Sequence, residues 1–182
     1  MGLRTIIGLA GRKQSGKTTA AEYLVKCGFV RQSFADPIKN MVSTLFKDLG
    51  HEERLSFLLN DGKEFLLPDI CKSPRWMMQT LGTEWGRNLI DPDLWVEAAR
   101  KKVLSTRDSV VFDDVRFENE ATMIRNLGGL IIHIDRGDLV TDSHASEQGI
   151  RDHADDAFID NDHSLTDFLI DVNCVVAGFV GR

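Results

Sequence analysis

The chain has 182 residues, 28 acidic against 22 basic, and a formal net charge of −6. This length suits a single domain with its own core, and a composition of 42% apolar and 27% charged residues excludes a fibrous or disordered chain. The acidic balance argues against a binder of nucleic acid polymers, no stretch approaches the ~20 apolar residues that span a bilayer, and three scattered cysteines, Cys27, Cys71 and Cys174, form no CxxC pair.

Helical and strand patterns alternate along the chain, which predicts an α/β domain with a largely parallel sheet. Residues 5–10 (TIIGLA) read as a buried first strand, followed by a glycine-rich turn and a helix over 17–26. A second strand is expected at 30–34. Asp36-Pro37 then opens a helix to about residue 46, with Asp36 as its cap and proline at the first helical position. The stretch 49–72 is the least regular, with a short helix over 52–59 and a loop around Asp61-Gly62 and Pro68. Ser73-Pro74 starts another helix, and Asp91-Pro92 a further one to residue 104. Strands follow at 109–115 and 129–135, separated by a helix over 118–127. Residues 137–156 form a polar loop, 157–160 a last short strand and 164–180 a closing helix. The apolar residues Phe168, Leu169, Val172, Val175, Val176 and Phe179 of that helix are expected in the core rather than at an interface.

Gly11-Arg12-Lys13-Gln14-Ser15-Gly16-Lys17-Thr18 fits G-x-x-x-x-G-K-[ST] in full and sits between a strand and a helix, where its mechanism requires. The glycines let main-chain amides wrap a phosphate, and the helix start adds its positive dipole end. Lys17 should reach the β- and γ-phosphates of ATP, the Thr18 hydroxyl should hold Mg²⁺, and Gly11, Lys13, Ser15, Gly16 and Thr19 complete the cradle. A second metal-side carboxylate is expected where the 109–115 strand ends, at Asp113 or Asp114. Strand alternation lets only one of them face the ion, and Asp114 is the metal candidate. No N-K-x-D segment reads guanine, so a switch GTPase is not indicated. A chain of this size with a helical insertion over about 36–104 looks more like a small-molecule kinase.

Four segments sharpen this reading: Ser33-Phe34-Ala35-Asp36-Pro37-Ile38-Lys39, Gln79-Thr80-Leu81-Gly82-Thr83-Glu84-Trp85-Gly86-Arg87, Asp114-Val115-Arg116-Phe117-Glu118-Asn119-Glu120 and His144-Ala145-Ser146-Glu147. Together they resemble the deoxynucleoside monophosphate kinases of tailed bacteriophages, over nearly the whole chain. The resemblance implies one domain, 1–182, built as a P-loop NTPase three-layer sandwich. It would have a five-stranded, mainly parallel sheet, a helical acceptor-binding insertion and a short lid-like loop at about 137–156. It implies transfer of the γ-phosphate of ATP, with Mg²⁺, to a deoxynucleoside monophosphate acceptor.

The acceptor's phosphate needs cations, and arginine's planar fork suits it. Arg75 and Gln79 share one helix face, so one can hold phosphate and the other read a base edge. Arg87 joins them if the chain bends back after Gly86. Asp36 and Lys39 follow the second strand, Asp36 either as a helix cap or orienting the acceptor. Arg116 could span acceptor and γ-phosphate, whereas Glu118 and Glu120 read as decoration of a helix start. Arg136 ends the fourth strand and Arg151 lies within the otherwise acidic loop at 137–156, and both are the lid candidates. Trp76 and Trp85 could stack on a base, although core packing is the commoner fate. Other acceptors, such as dephospho-coenzyme A, remain open, as does a nucleotide-dependent binding protein of another class. The chain is expected in the cytoplasm (of a host, if phage-encoded), away from membranes, as a monomer or homodimer.

Overall fold

The structure is a computed structural model that describes residues 4–137 and 150–181. Its strands are β1 (Ile6–Ala10), β2 (Val30–Gln32), β3 (Val110–Val115), β4 (Leu130–Asp135) and β5 (Ala157–Asp160). They form one sheet in the order β2-β3-β1-β4-β5, with every neighbouring pair parallel. β1 is buried at all five positions, as expected of a strand covered on both faces. The helices are α1 (Lys17–Lys26), α2 (Asp36–Asp48), α3 (Leu55–Leu59), α4 (Pro74–Gln79), α5 (Leu94–Leu104), α6 (Glu118–Asn126) and α7 (Leu165–Val180). Among the described residues no helix is long and apolar enough to cross a membrane.

The chain divides into two compact units, Met1–Phe34 with Ala99–Arg182, and Ala35–Ala98. The first holds the sheet. Its core joins Ile7 and Leu9 of β1 and Val111 of β3 to Ala20, Ala21 and Leu24 of α1 and to Phe168, Val172 and Val176 of α7. Phe168, Val172 and Val176 of the closing helix are core and Leu169, Val175 and Phe179 pack partly buried against it, as expected, whereas Leu165, Ile170 and Val180 are exposed.

The second unit has its own core of Val42, Phe46, Leu58 and Leu67, against which Met77, Met78 and Leu81 pack. Ile38, Val42 and Phe46, four residues apart, form the buried stripe of α2. Several expectations are corrected here. The second strand stops at Gln32, and Asp36 is the first residue of α2 rather than its cap, a position held by Ala35. The expected helix over 52–59 is a 3-10 turn (Glu52–Arg54) followed by α3. Ser73 does cap α4, its hydroxyl accepting from the Trp76 N–H at 3.2 Å.

The chain does not bend back after Gly86; Thr80–Ile90 continues as a π-helix. The cause is Trp95, whose indole N–H donates to the Gly82 carbonyl at 2.8 Å and whose ring leaves no room for a side chain at Gly86. A Cβ there would lie 2.4 Å from the ring. The wider π turn closes with the Asp91 N–H on the Gly86 carbonyl at 3.0 Å. Trp76 and Trp85, for which core packing was the commoner expectation, are 47% and 39% exposed; Trp95 is the buried tryptophan, at 4%.

Candidate nucleotide-binding site

Residues 11–16 leave β1 at the carboxyl edge of the sheet, where β3 and β4 flank β1 on opposite sides. Ligands of open parallel sheets gather at such a reversal of strand order. Gly11 (φ +141°) and Gly16 (φ +114°) both hold conformations that side chains rarely adopt. A Cβ on Gly11 would lie 2.2 Å from the Ile134 carbonyl oxygen, and one on Gly16 2.5 Å from Asn161 Nδ2. Gln14 adds a third positive φ, 66°. The sharp curl between strand and helix is thus written in backbone geometry. No acidic side chain occupies the first turn of α1, where an acid would offset its positive dipole end.

The Lys17 ammonium folds back over the loop and donates to the carbonyl oxygens of Gly11 and Arg12. Ser15 is fully buried, and its hydroxyl makes no hydrogen bond among the described residues. Its carbonyl accepts from Asn161 Nδ2 at 2.8 Å, while the Asn161 N–H donates to the Asp135 carbonyl at 2.7 Å.

Beside the loop opens a cleft of ≈ 320 Å³ lined by Gln14, Gly16, Lys17, Thr18, Thr19, Arg136, Asn161, His163, Leu165 and Phe168. It brings together Gly16, Lys17, Thr18, Thr19 and Arg136 from the expected set, whereas Gly11, Lys13 and Ser15 belong to the loop without lining the cleft. Gln14, Asn161, His163, Leu165 and Phe168 were not foreseen. The turn after β5 carried no motif that sequence reasoning could read.

Asp113 and Asp114 diverge, as strand alternation requires. Asp113 pairs with Arg31, and Asp114 accepts from the Ser33 hydroxyl and, at 3.0 Å, from the Phe34 N–H. A carboxylate at this strand end and the Thr18 hydroxyl are hard oxygen donors of the kind Mg²⁺ takes. That ion is commonly held by one or two protein oxygens together with phosphate. Among the described residues no cluster of three or more histidine, cysteine or carboxylate side chains forms a metal cage of its own.

Arg116 lies exposed on the turn after β3. Its N–H and that of Phe117 are accepted by Glu120 Oε2 at 2.8 and 3.1 Å, and Glu120 is only 2% exposed. Glu120 therefore shapes the turn that carries Arg116 instead of decorating the surface. Its position three residues after the cap position was the available signal.

Residues 138–149 lie outside the described residues, and with them His144, Glu147 and most of the expected lid. Arg151 is held through its backbone: its N–H donates to Glu118 Oε2 at 2.9 Å and its carbonyl accepts from Arg125 Nη2 at 3.2 Å, its side chain being exposed. Arg125 also grips Asp156 with two hydrogen bonds, at 3.0 and 2.6 Å, and His133 Nε2 meets the same carboxylate at 2.9 Å. Burial pushes the Asp156 carboxyl up, but the bonds from Arg125 and His133 outweigh it and hold it below the usual range; Asp156 in turn raises Arg125. Sequence reasoning missed this cluster, because its members are far apart in the chain.

In the second unit, Arg75 and Gln79 sit on α4, Arg75 paired with Glu64 and Gln79 exposed. Arg87 lies on the π-helix and donates to the Pro92 carbonyl at 3.2 Å. Asp36 and Lys39 are on the first turn of α2.

A parallel sheet of this strand order, with a glycine-bent loop carrying a lysine and a threonine at its carboxyl edge, defines a P-loop kinase fold. A gluconokinase from Sinorhizobium meliloti 1021 superposes with a TM-score of 0.52 at 12% identity, covering 100% of this chain and 96% of that one. A dephospho-CoA kinase from Campylobacter jejuni gives 0.52 at 17% identity, covering 98% of each. The chain belongs to the deoxynucleotide monophosphate kinase family, whose model matches residues 69–172. It is 36% identical over 191 aligned residues to a putative deoxynucleotide monophosphate kinase of Acanthamoeba polyphaga mimivirus, covering 93% of this chain and 95% of that protein. It is also 30% identical over 102 residues to the deoxynucleoside-5'-monophosphate kinase of Escherichia phage T5, covering 51% of this chain and 41% of that protein.

Proposed function

We propose that this chain transfers the γ-phosphoryl group of ATP, bound with Mg²⁺, to a deoxynucleoside 5'-monophosphate, releasing ADP and the deoxynucleoside diphosphate. The observation that carries the reading is the glycine-bent loop with Lys17, Thr18 and Arg136 on one cleft, in a chain of this family. The main-chain amides of 11–16 and the Lys17 ammonium bind the β- and γ-phosphates, with Lys13 and Thr19 beside them. Lys17 exchanges its carbonyl partners for phosphate oxygens, a stronger charge-assisted contact. The Thr18 hydroxyl and the Asp114 carboxylate would hold Mg²⁺, which would supply charge neutralisation to the phosphates of ATP.

Phosphoryl transfer passes through a loose transition state, so the protein contributes placement and positive charge. Arg116 and Arg136 stabilise the charge on the phosphoryl group in flight, and Arg151 joins them. Arg75 and Arg87 grip the acceptor phosphate, Gln79 reads a base edge, and Asp36 and Lys39 orient the acceptor near the transferred group. Arg75 gives up only a solvent-exposed pairing with Glu64 to do so, a pair of small net worth. Both substrates are cytoplasmic metabolites, so the reaction belongs in a cytoplasm.

The test is an acceptor panel with purified protein, ATP and Mg²⁺, reading ADP release and the phosphorylated product. Deoxynucleoside monophosphates should be turned over in preference to ribonucleoside monophosphates and dephospho-coenzyme A. ADP release without a phosphorylated deoxynucleotide would overturn the reading.

A further inference from the structure

Asn161, the residue directly after β5, has no role in the reading above, yet it touches the phosphate loop at the peptide joining Ser15 to Gly16. Its Nδ2 donates to the Ser15 carbonyl at 2.8 Å, and its own N–H is tied to the Asp135 carbonyl at 2.7 Å, so the side chain projects from a fixed point on the sheet edge. The peptide it touches has a glycine on its C-terminal side. That plane turns on ψ of residue 15 and φ of residue 16, and Gly16, at φ +114°, has no Cβ to oppose the turn.

In a planar trans peptide the carbonyl and the following N–H point in opposite directions, and the chain contains no cis peptide among its described residues. A Ser15 carbonyl aimed at Asn161 therefore turns the Gly16 N–H to the opposite side of that peptide. We propose that Asn161 is a positioning residue of the phosphate-binding loop, whose side-chain amide locks the Ser15–Gly16 peptide plane so that the Gly16 N–H is presented to a donor phosphate oxygen. Without the lock the plane can turn over and present a carbonyl oxygen to the phosphate, replacing attraction by repulsion. The inference rests on the loop being the donor cradle.

Asn161 also lines the cleft, so a loss of ATP affinity alone could arise from a contact elsewhere on the nucleotide. Inorganic tripolyphosphate, which has neither base nor sugar, isolates the cradle. By calorimetry Asn161→Leu and Asn161→Ser should each bind tripolyphosphate about tenfold or more weakly than wild type. KM for ATP should rise in step while KM for the deoxynucleoside monophosphate stays within about twofold, a split that general loosening of the fold would not give. In wild-type protein, and so without any variant, the Gly16 amide proton should move downfield when tripolyphosphate is added. Folded variants that bind tripolyphosphate as tightly as wild type, or a Gly16 amide that does not move, would overturn the proposal and leave the kinase reading standing. Wild-type protein that binds neither ATP nor tripolyphosphate would overturn both.

Discussion

On the proposed reading Lys17 and Arg116 should fail differently, Lys17 as part of the donor cradle and Arg116 as a group acting on the transition state. Lys17→Ala removes the only ammonium folded over the phosphate loop among the described residues, and turnover should fall to background. Arg116 projects from a turn fixed by Glu120. Arg116→Ala should therefore lower kcat by roughly 10³-fold or more while KM for ATP moves only a few-fold. Steady-state kinetics with ATP and an accepted deoxynucleotide separate the two, and an unchanged kcat in either variant refutes its assignment. The loop's geometry was legible in the sequence because it is local: the glycines at 11 and 16, both at positive φ, fall with Lys17 and Thr18 within eight positions. Asn161 and Asp156 were not, because their partners lie far off in the chain, Ser15 in one case and Arg125 and His133 in the other.

Among the elements, the π-helix over Thr80–Ile90 depends on a contact that local propensity cannot encode. The Trp95 ring sits nine residues beyond Gly86 and occupies the place of its side chain. Gly86→Ala should cost about 1–3 kcal/mol through overpacking, read as a lower midpoint in urea with an unchanged slope. A neutral result would mean that the ring does not set the π geometry. The caps show the same boundary between local and distant causes. Ser73 is a true cap because its hydroxyl accepts the Trp76 N–H, whereas the same residue-Pro pattern at Asp36-Pro37 places the aspartate inside α2.

The Arg125–Asp156 bridge ties α6 to the segment entering β5, and its pH dependence has a definite sign. Asp156 binds a proton less readily folded than unfolded, so its contribution is complete above the ordinary aspartate range and disappears as pH falls through the depressed value. Asp156→Asn should cost about 1.5–3 kcal/mol at neutral pH. It should also show a shallower loss of stability than wild type below about pH 4 in acid-melting curves. Parallel acid limbs for the two proteins would contradict the bridge.

For the whole molecule, a ligand that binds only the folded chain must raise its melting temperature. ATP with Mg²⁺ at a hundred times its Kd contributes about 2.7 kcal/mol, or roughly 5–10 °C for a chain of this size. The shift should vanish in Lys17→Ala, and its survival there would place ATP outside the cleft. Alternation of helix and strand foretold a parallel sheet. The position of β3 between β1 and β2 was not foretold, since it is settled by pairings such as Ile6 with Val110 and Val30 with Val110.

That strand order has a consequence for synthesis on the ribosome. β1 and β2 emerge early but are not neighbours, and each must wait for β3, which begins at Val110, before it gains a hydrogen-bonding partner from the sheet. The walls that confine Gly11 and Gly16 come later still, from Ile134 and Asn161. The nascent chain thus carries its most recognisable motif unformed through most of translation. Pairings of such long sequence separation close slowly, so the interval in which apolar β1 stands unprotected is when this polypeptide is most exposed to aggregation.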